Sequence, residues 1–222
     1  AAFALISGRK ISLMQRSTMQ EAISAPKVGG IVRLTSFIIK TTLLIELAGA
    51  AFMTPVFCRD FGAKGLWMAL FHSISAFCNA GFDLMGARAP FSSLTSYAEE
   101  PVINLTIMLL IIIGGIGFLT WDDIRSNRLH LHQYRMQSKI ILCTTALLLA
   151  APVVYFFFFE FGALEHEKRI LASLFQSVSP RTAGFNTVDL ASLSEAGQWI
   201  TIVLMLIGGS PGSTAGGMNT TT

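Results

Sequence analysis

Two stretches of this chain carry nearly the same phrase. They are Phe71-His-Ser-Ile-Ser75-Ala-Phe-Cys-Asn-Ala80-Gly81-Phe82-Asp83 and Phe175-Gln-Ser-Val-Ser179-Pro-Arg-Thr-Ala183-Gly184-Phe185-Asn186. Both contain Ala-Gly-Phe, and both follow a short apolar run. Working outward, each phrase lies between two longer hydrophobic segments. The first pair is Ile31 to Phe57 and Pro101 to Trp121. The second is Ile140 to Phe161 and a segment from Trp199 to Ile207 that breaks at Gly208. A bilayer core of about 30 Å takes about 20 apolar residues to cross as a helix. The runs leading into the phrases, Leu66 to Phe77 and Ile170 to Val178, are too short for that. Their length suits re-entrant helices. The expected architecture is therefore an all-α membrane protein with tandem units of helix, pore helix, loop and helix.

Composition agrees. The chain has 222 residues, of which 52% are hydrophobic and 13% charged, against about 25% charged in soluble domains. Its mean hydropathy is +0.60. A net charge of +3 is too small to point to nucleic acid. Cys58, Cys78 and Cys143 have no Cys-x-x-Cys spacing, which argues against a disulfide framework and a zinc site. The start, Ala1 to Gly8, has no Met and no cationic region before its apolar run, unlike a signal peptide. It reads as the tail of a helix, and both ends of the chain read as truncations.

Charge orients the spans. Arg9, Lys10, Arg16, Lys27 and Arg33 precede the first; Arg125, Arg128, Arg135 and Lys139 lie between the second and third. By the positive-inside rule these stretches are cytoplasmic. The loops bearing the short helices carry fewer cations (Arg59, Lys64, Arg88; Lys168, Arg169) and face outside. The two units then share one orientation, as parallel repeats do.

Irregular backbone at membrane depth is tolerated where protein buries it or where it lines a watery cavity. Cys78, Asn79, Ala80, Gly81 and Phe82, with Arg181, Thr182, Ala183, Gly184 and Phe185, are candidates for the latter. Backbone carbonyls can replace an ion's water without binding it too tightly. Glycine supplies the positive φ that turns successive carbonyls to one side. Each preceding helix points the negative end of its dipole at the loop.

At these residues the chain resembles the Trk/Ktr/HKT superfamily of potassium transporters, in particular KtrB-like membrane subunits. Ser75 to Asp83 and Ser179 to Asn186 match the second and third filter loops of that family. Gly208-Gly209-Ser210-Pro211-Gly212-Ser213-Thr214-Ala215-Gly216-Gly217 matches its gating loop. The resemblance implies K+ bound by backbone carbonyls near Gly81 and Gly184, and it is compatible with Na+ coupling. It implies no organic cofactor on this chain. It also implies a multi-pass protein of the bacterial plasma membrane, a homodimer, and a cytosolic nucleotide-binding ring as regulator. Four such units surround one pore in the family. On that reading residues 1–30 end the first unit, 31–124 form the second, 125–138 a basic cytoplasmic loop, and 139–222 a third unit cut short. Where the family often carries Lys after the gating loop, this chain has Met218-Asn219-Thr220.

The same residues admit rival readings. The Gly-rich stretch is no phosphate-binding loop, since it lacks the Lys of G-x-x-x-x-G-K-[ST] and no strand precedes it. An intramembrane enzyme needs a nucleophile–base pair. His72 beside Ser73 and Ser75 is the best-placed histidine, and the second copy has Gln176 there. A purely structural scaffold is the third alternative. Lys40 is expected to snorkel and Glu46 to contact the bundle. Arg181 is expected to point away from the pore axis and to brace its loop by hydrogen bonds. Asp83 either attracts cations or caps amides, and Asn186 occupies the matching place after the second loop. His130 and His132 read as part of a solvated basic loop, Asp122 and Asp123 as helix-end polarity. Gly114, Gly115 and Gly117 are expected to serve helix packing.

Overall fold

A computed structural model describes residues 31–128 and 130–220, together with Met14, Ser17, Thr18, Gln20 and Glu21. The expected unit 1–30, with Arg9, Lys10, Arg16 and Lys27, lies almost wholly outside the described residues. Among the described residues the regular structure is helical, apart from one isolated bridge between Ile207 and Met218.

Helix α1 spans Ile31–Phe61 and is long and apolar enough to cross a membrane. It stops at Gly62, whose positive φ ends a helix without a Cβ penalty, and the Gly62 N–H bonds the Cys58 carbonyl at 2.9 Å. The chain then folds straight back as α2, Lys64–Phe77. The reversal is tight: a Cβ on Gly65 would lie 2.4 Å from the Phe57 carbonyl oxygen. Ser73 Oγ donates to the Glu46 carbonyl at 2.6 Å, joining the two helices. Glu46 is buried and Lys40 exposed, as their positions led us to expect.

Helix α3, Pro101–Gly115, starts with Pro at its first turn. The Asn104 amide donates to the carbonyls of Tyr97 and Glu100 just ahead of it. Here the structure departs from the sequence reading. The expected span Pro101 to Trp121 is not one rod. It bends by 95° into α4, Phe118–Asn127. Gly117 sits at the joint with φ +87°, a value that L side chains rarely adopt.

The second unit follows the same order. Helix α5, Met136–Tyr155, runs on through a π-turn at Phe156–Glu160, and together they are long enough to span. Helix α6, His166–Val178, is followed by the second repeated phrase, and α7, Glu195–Leu206, by the Gly-rich stretch. Both short helices begin earlier than hydropathy indicates, because Lys64 and the His166–Arg169 turn are polar yet helical. Ser194 caps α7 by accepting from the Gly197 N–H at 3.1 Å, and the Glu160 carboxylate accepts from the Ser194 N–H at 2.7 Å.

The larger core lies in the first unit, around Met53, Phe57, Phe77, Ile107 and Ile111. It also takes in Val178, Ala183 and Phe185 from the second phrase. A smaller core, with Phe156, Phe161, Ala172, Leu193 and Leu204, holds the second unit together. The units therefore meet at the repeated loops. On the expected outer face, Asp60 accepts from the Tyr97 hydroxyl at 2.7 Å and pairs with Arg88, while Arg59 pairs with Glu100. Burial, then the bond to Asp60, pushes the Tyr97 hydroxyl above the usual phenol range. On the opposite face Asp123 is buried, not a loose helix end. It accepts from Ser138 Oγ and from the Arg135 N–H, tying α4 to α5. His130 and His132 are exposed there.

Candidate functional site

The two repeated loops are built alike and touch. After α2 the Ala80 N–H bonds the Ser75 carbonyl at 2.9 Å. After α6 the N–H groups of Ala183 and Gly184 bond the Ser179 carbonyl. In each copy the same serine then reaches across its loop. Ser75 Oγ donates to the Phe82 carbonyl at 2.7 Å, and Ser179 Oγ donates to the Phe185 carbonyl. Each serine clamps one end of a turn whose inner residues have left-handed backbone: Asn79 and Gly81 in the first, Thr182 and Gly184 in the second. Among the described residues no donor reaches the carbonyls of Asn79, Ala80 and Gly81, or those of Thr182, Ala183 and Gly184. Asn79 and Ala183 are buried residues, whose carbonyls are ordinarily bonded, while Gly81 and Thr182 are half-buried and Ala80 and Gly184 exposed. The carbonyls of Phe82 and Phe185 already hold serine hydroxyls.

Gly81 packs directly on the second loop. A Cβ on it would come within 2.1 Å of the Ala183 carbonyl oxygen and 3.2 Å of the Gly184 Cα. At Gly184 the nearest atom to such a Cβ is the Gly81 Cα, at 3.8 Å. The copies differ outside this contact. Phe185 is 3% exposed and Phe82 70%.

His72 keeps the first loop in place. Its Nδ1 lies 2.7 Å from the Met68 carbonyl and its Nε2 accepts from the Leu84 N–H at 3.3 Å. One nitrogen thus donates and the other accepts, the pattern of a neutral ring. The ring stacks on Phe57 and lies near Phe185. Nothing is left over for a serine partner, so the hydrogen bonding gives no support to a nucleophile–base pair. Gln176, its counterpart, instead donates to Thr201 of α7. Asp83 accepts from the Met85 N–H at 2.9 Å, so it caps backbone. Beyond the loops, the Asn186 N–H bonds Ser93 Oγ and the Leu94 N–H bonds the Asn186 carbonyl.

The Gly-rich loop explains the bend in α3. Breaking a helix strands carbonyls and amides, which need new partners at membrane depth. The Gly114 carbonyl accepts from the Thr214 N–H at 3.2 Å and the Gly115 carbonyl from the Ser210 N–H at 3.0 Å. The Phe118 N–H donates to the Gly212 carbonyl at 2.9 Å. Trp121 Nε1 takes the Ile113 carbonyl at 3.0 Å. Gly114, Gly115 and Gly117 thus form the dock for residues 208–217, and Gly114 also serves the close helix packing expected of it. A Cβ at Gly114 would lie 2.1 Å from the Phe77 carbonyl oxygen. That close approach lets Thr214 Oγ1 donate to the same carbonyl at 2.7 Å. The loop therefore joins the C-terminal end of α2, immediately before the first repeated loop. Its own ends close on each other through the Gly208 N–H to the Met218 carbonyl and the Gly209 N–H to the Gly216 carbonyl. Ser210 Oγ meets Thr220 Oγ1, and Ser213 Oγ accepts from the Ala215 N–H.

Arg181 also departs from expectation. It is buried, but its Nε has no hydrogen-bond partner among the described residues. Bracing by the guanidinium Nε is therefore not what holds this loop; Ser179 does that. The clamping roles of Ser75 and Ser179 are not legible in the sequence, whereas Thr214, like Ser210 and Ser213, is expected there to satisfy exposed backbone groups or contact ions, and it bonds the Phe77 carbonyl. The one available signal for the serines is that both repeated phrases carry one, in the last turn of α2 and just after α6.

These features define a class: a helical membrane protein whose two short helices end in touching loops, one of them docked by a Gly-rich segment. The chain belongs to the TrkH family of cation transport proteins, which matches over residues 1–222. It is similar to the potassium/sodium uptake protein NtpJ of Enterococcus hirae, with 39% identity over 99% of this chain and 49% of that protein. It is also similar to the Ktr system potassium uptake protein B of Bacillus subtilis, with 38% identity over 98% of this chain and 49% of the relative. The chain thus spans about half the length of these curated relatives. Its fold is similar to the potassium transporter TrkH from Vibrio parahaemolyticus, with a TM-score of 0.71 at 19% identity, covering 93% of this chain and 44% of that one.

Proposed function

We propose that this chain supplies two walls of a potassium-selective pathway in a Trk/Ktr-type uptake protein of the bacterial plasma membrane. The observation that carries the reading is the pair of touching loops, each with three consecutive carbonyls that no described residue engages. Oxygens arranged in this way can exchange for the water around a cation. Asn79, Ala80, Gly81, Thr182, Ala183 and Gly184 are the proposed ion-facing residues. Ser75 and Ser179 hold the turns open. The choice of K+ rests on the relatives, whose names specify potassium uptake; one of them also names sodium. Two further units outside this chain would close the pathway, in keeping with the half-length match.

The Gly-rich loop is the proposed gate. Docked on the α3 bend and on the Phe77 carbonyl, it sits at the inner end of the first loop. A homodimeric complete protein with a cytosolic nucleotide-binding regulator follows from the same likeness. The test is uptake by the full-length protein in cells deficient in K+ transport. Restored growth at low K+, with weaker K+ selectivity when Gly81 is replaced, is the expected result. No uptake from a correctly inserted protein would sink the reading.

A further inference from the structure

Thr182 aside, three polar side chains near the loop contact have buried atoms that meet no partner among the described residues. They are Asn79 in the first repeated loop, Thr145 on α5 and Arg181 in the second loop, at 8%, 6% and 8% exposure. The atoms are Asn79 Nδ2 and Oδ1, Thr145 Oγ1 and Arg181 Nε. All three residues line one cavity of about 10 Å³, whose wall also includes Gly115, Gly209 and Ala215. An unpaired buried polar atom costs about 1–3 kcal/mol. Three such residues around one void call for a shared partner.

We propose that this cavity is a binding site for a single ordered water molecule, which joins both repeated loops to α5 while the Gly-rich loop is docked. The size fits: a water needs about 10–15 Å³ of such space and two to four polar partners. The chemistry fits as well. Arg181 Nε can only donate, whereas the hydroxyl and the amide can donate or accept. One water can take the Arg181 hydrogen and give its own to Thr145 Oγ1 and Asn79 Oδ1. A cation is repelled by the guanidinium, and an anion is larger than the void and would meet the Asn79 oxygen.

The site stands on geometry alone; its consequence for transport rests on the proposed function. Because Gly209 and Ala215 form part of the cavity wall, undocking the Gly-rich loop removes that part and opens the cavity further to solvent. The bridge therefore favours the docked state, and weakening it favours release.

The test uses the complete protein at a resolution that shows ordered solvent, together with Thr145→Val and Thr145→Ser. One water peak within hydrogen-bond distance of at least two of the three side chains is expected. It should vanish in Thr145→Val, which keeps the shape but loses the hydroxyl, and persist in Thr145→Ser. A net hydrogen bond is small, so K+ uptake without the regulator should rise about two- to tenfold in Thr145→Val, with selectivity unchanged. A dry cavity, or one closed by a side chain from elsewhere in the complete protein, overturns the site. Unchanged basal uptake in Thr145→Val overturns its link to the loop. A water peak in a protein that carries no K+ would sink the transport reading and leave the site standing.

Discussion

Replacing Gly81 by Ala should be far more damaging than the same change at Gly184, although the two residues are equivalent in the repeated phrase. Both sit at positive φ, +70° and +89°, so each alanine carries about 1–2 kcal/mol of left-handed strain. If that strain opposes the ion-binding arrangement, it amounts to about a 5- to 30-fold weaker apparent K+ affinity. Gly184→Ala stops there, since its Cβ would meet nothing closer than 3.8 Å. Gly81→Ala places a methyl 2.1 Å from the Ala183 carbonyl oxygen. Ordinary contact lies beyond 3 Å, so one loop must retreat by about 1 Å, a displacement that can cost about a hundredfold where geometry is critical. The assay is concentration-dependent uptake of K+ and Na+ by the full-length protein in transport-deficient cells, with membrane expression checked for each variant. We expect Gly81→Ala to lose at least about tenfold more K+ affinity than Gly184→Ala and to discriminate poorly against Na+. Equal effects, or a worse effect at Gly184, would refute the argument from the asymmetric contact.

Three further outcomes follow from the hydrogen bonds. Ser75→Ala or Ser179→Ala frees a Phe carbonyl and should lower K+ over Na+ selectivity at near-normal expression, the lost bond being worth about 0.5–1.5 kcal/mol; unaltered selectivity ratios in both variants count against the clamp. Thr214→Val removes the bond to the Phe77 carbonyl and should raise basal uptake several-fold, roughly the effect of one hydrogen bond, whereas lower uptake from folded protein contradicts a plug. Tyr97→Phe deletes the bond to Asp60 on the outer face; thermal unfolding in detergent should shift down by about 2–4 °C with transport intact, and a loss of transport at unchanged stability would give Tyr97 a role the structure does not assign.

Much of this arrangement is legible in the sequence. Hydropathy located α1 and α5 because long apolar runs have few other uses, and the repeated phrase marked both loops. The break in α3 was hidden for a physical reason. Residues 101–121 carry no charge and are mostly apolar, and glycines are common in transmembrane helices that do not break. The bend exists because partners far along the chain cap Gly114, Gly115 and Phe118, and no local window contains them. Arg181 shows the reverse limit. Its presence in the motif invited a hydrogen-bonding role, yet its buried Nε has no partner among the described residues. The serines were visible but uninformative until the turn geometry brought each hydroxyl over its own Phe carbonyl.

The stitching of the α3 bend has a consequence for biogenesis. The groups that cap Gly114, Gly115 and Phe118 belong to residues 210–214, which leave the ribosome long after α3 and α4 have been made. Until then the stranded carbonyls and amide can pair only within their own segment, and in a bilayer that favours an unbroken helix. The sharp corner is thus a late event in synthesis, installed when the Gly-rich segment arrives. A nascent chain halted before Gly208 should hold residues 101–127 straight, and cysteine pairs placed across the corner would report when it bends.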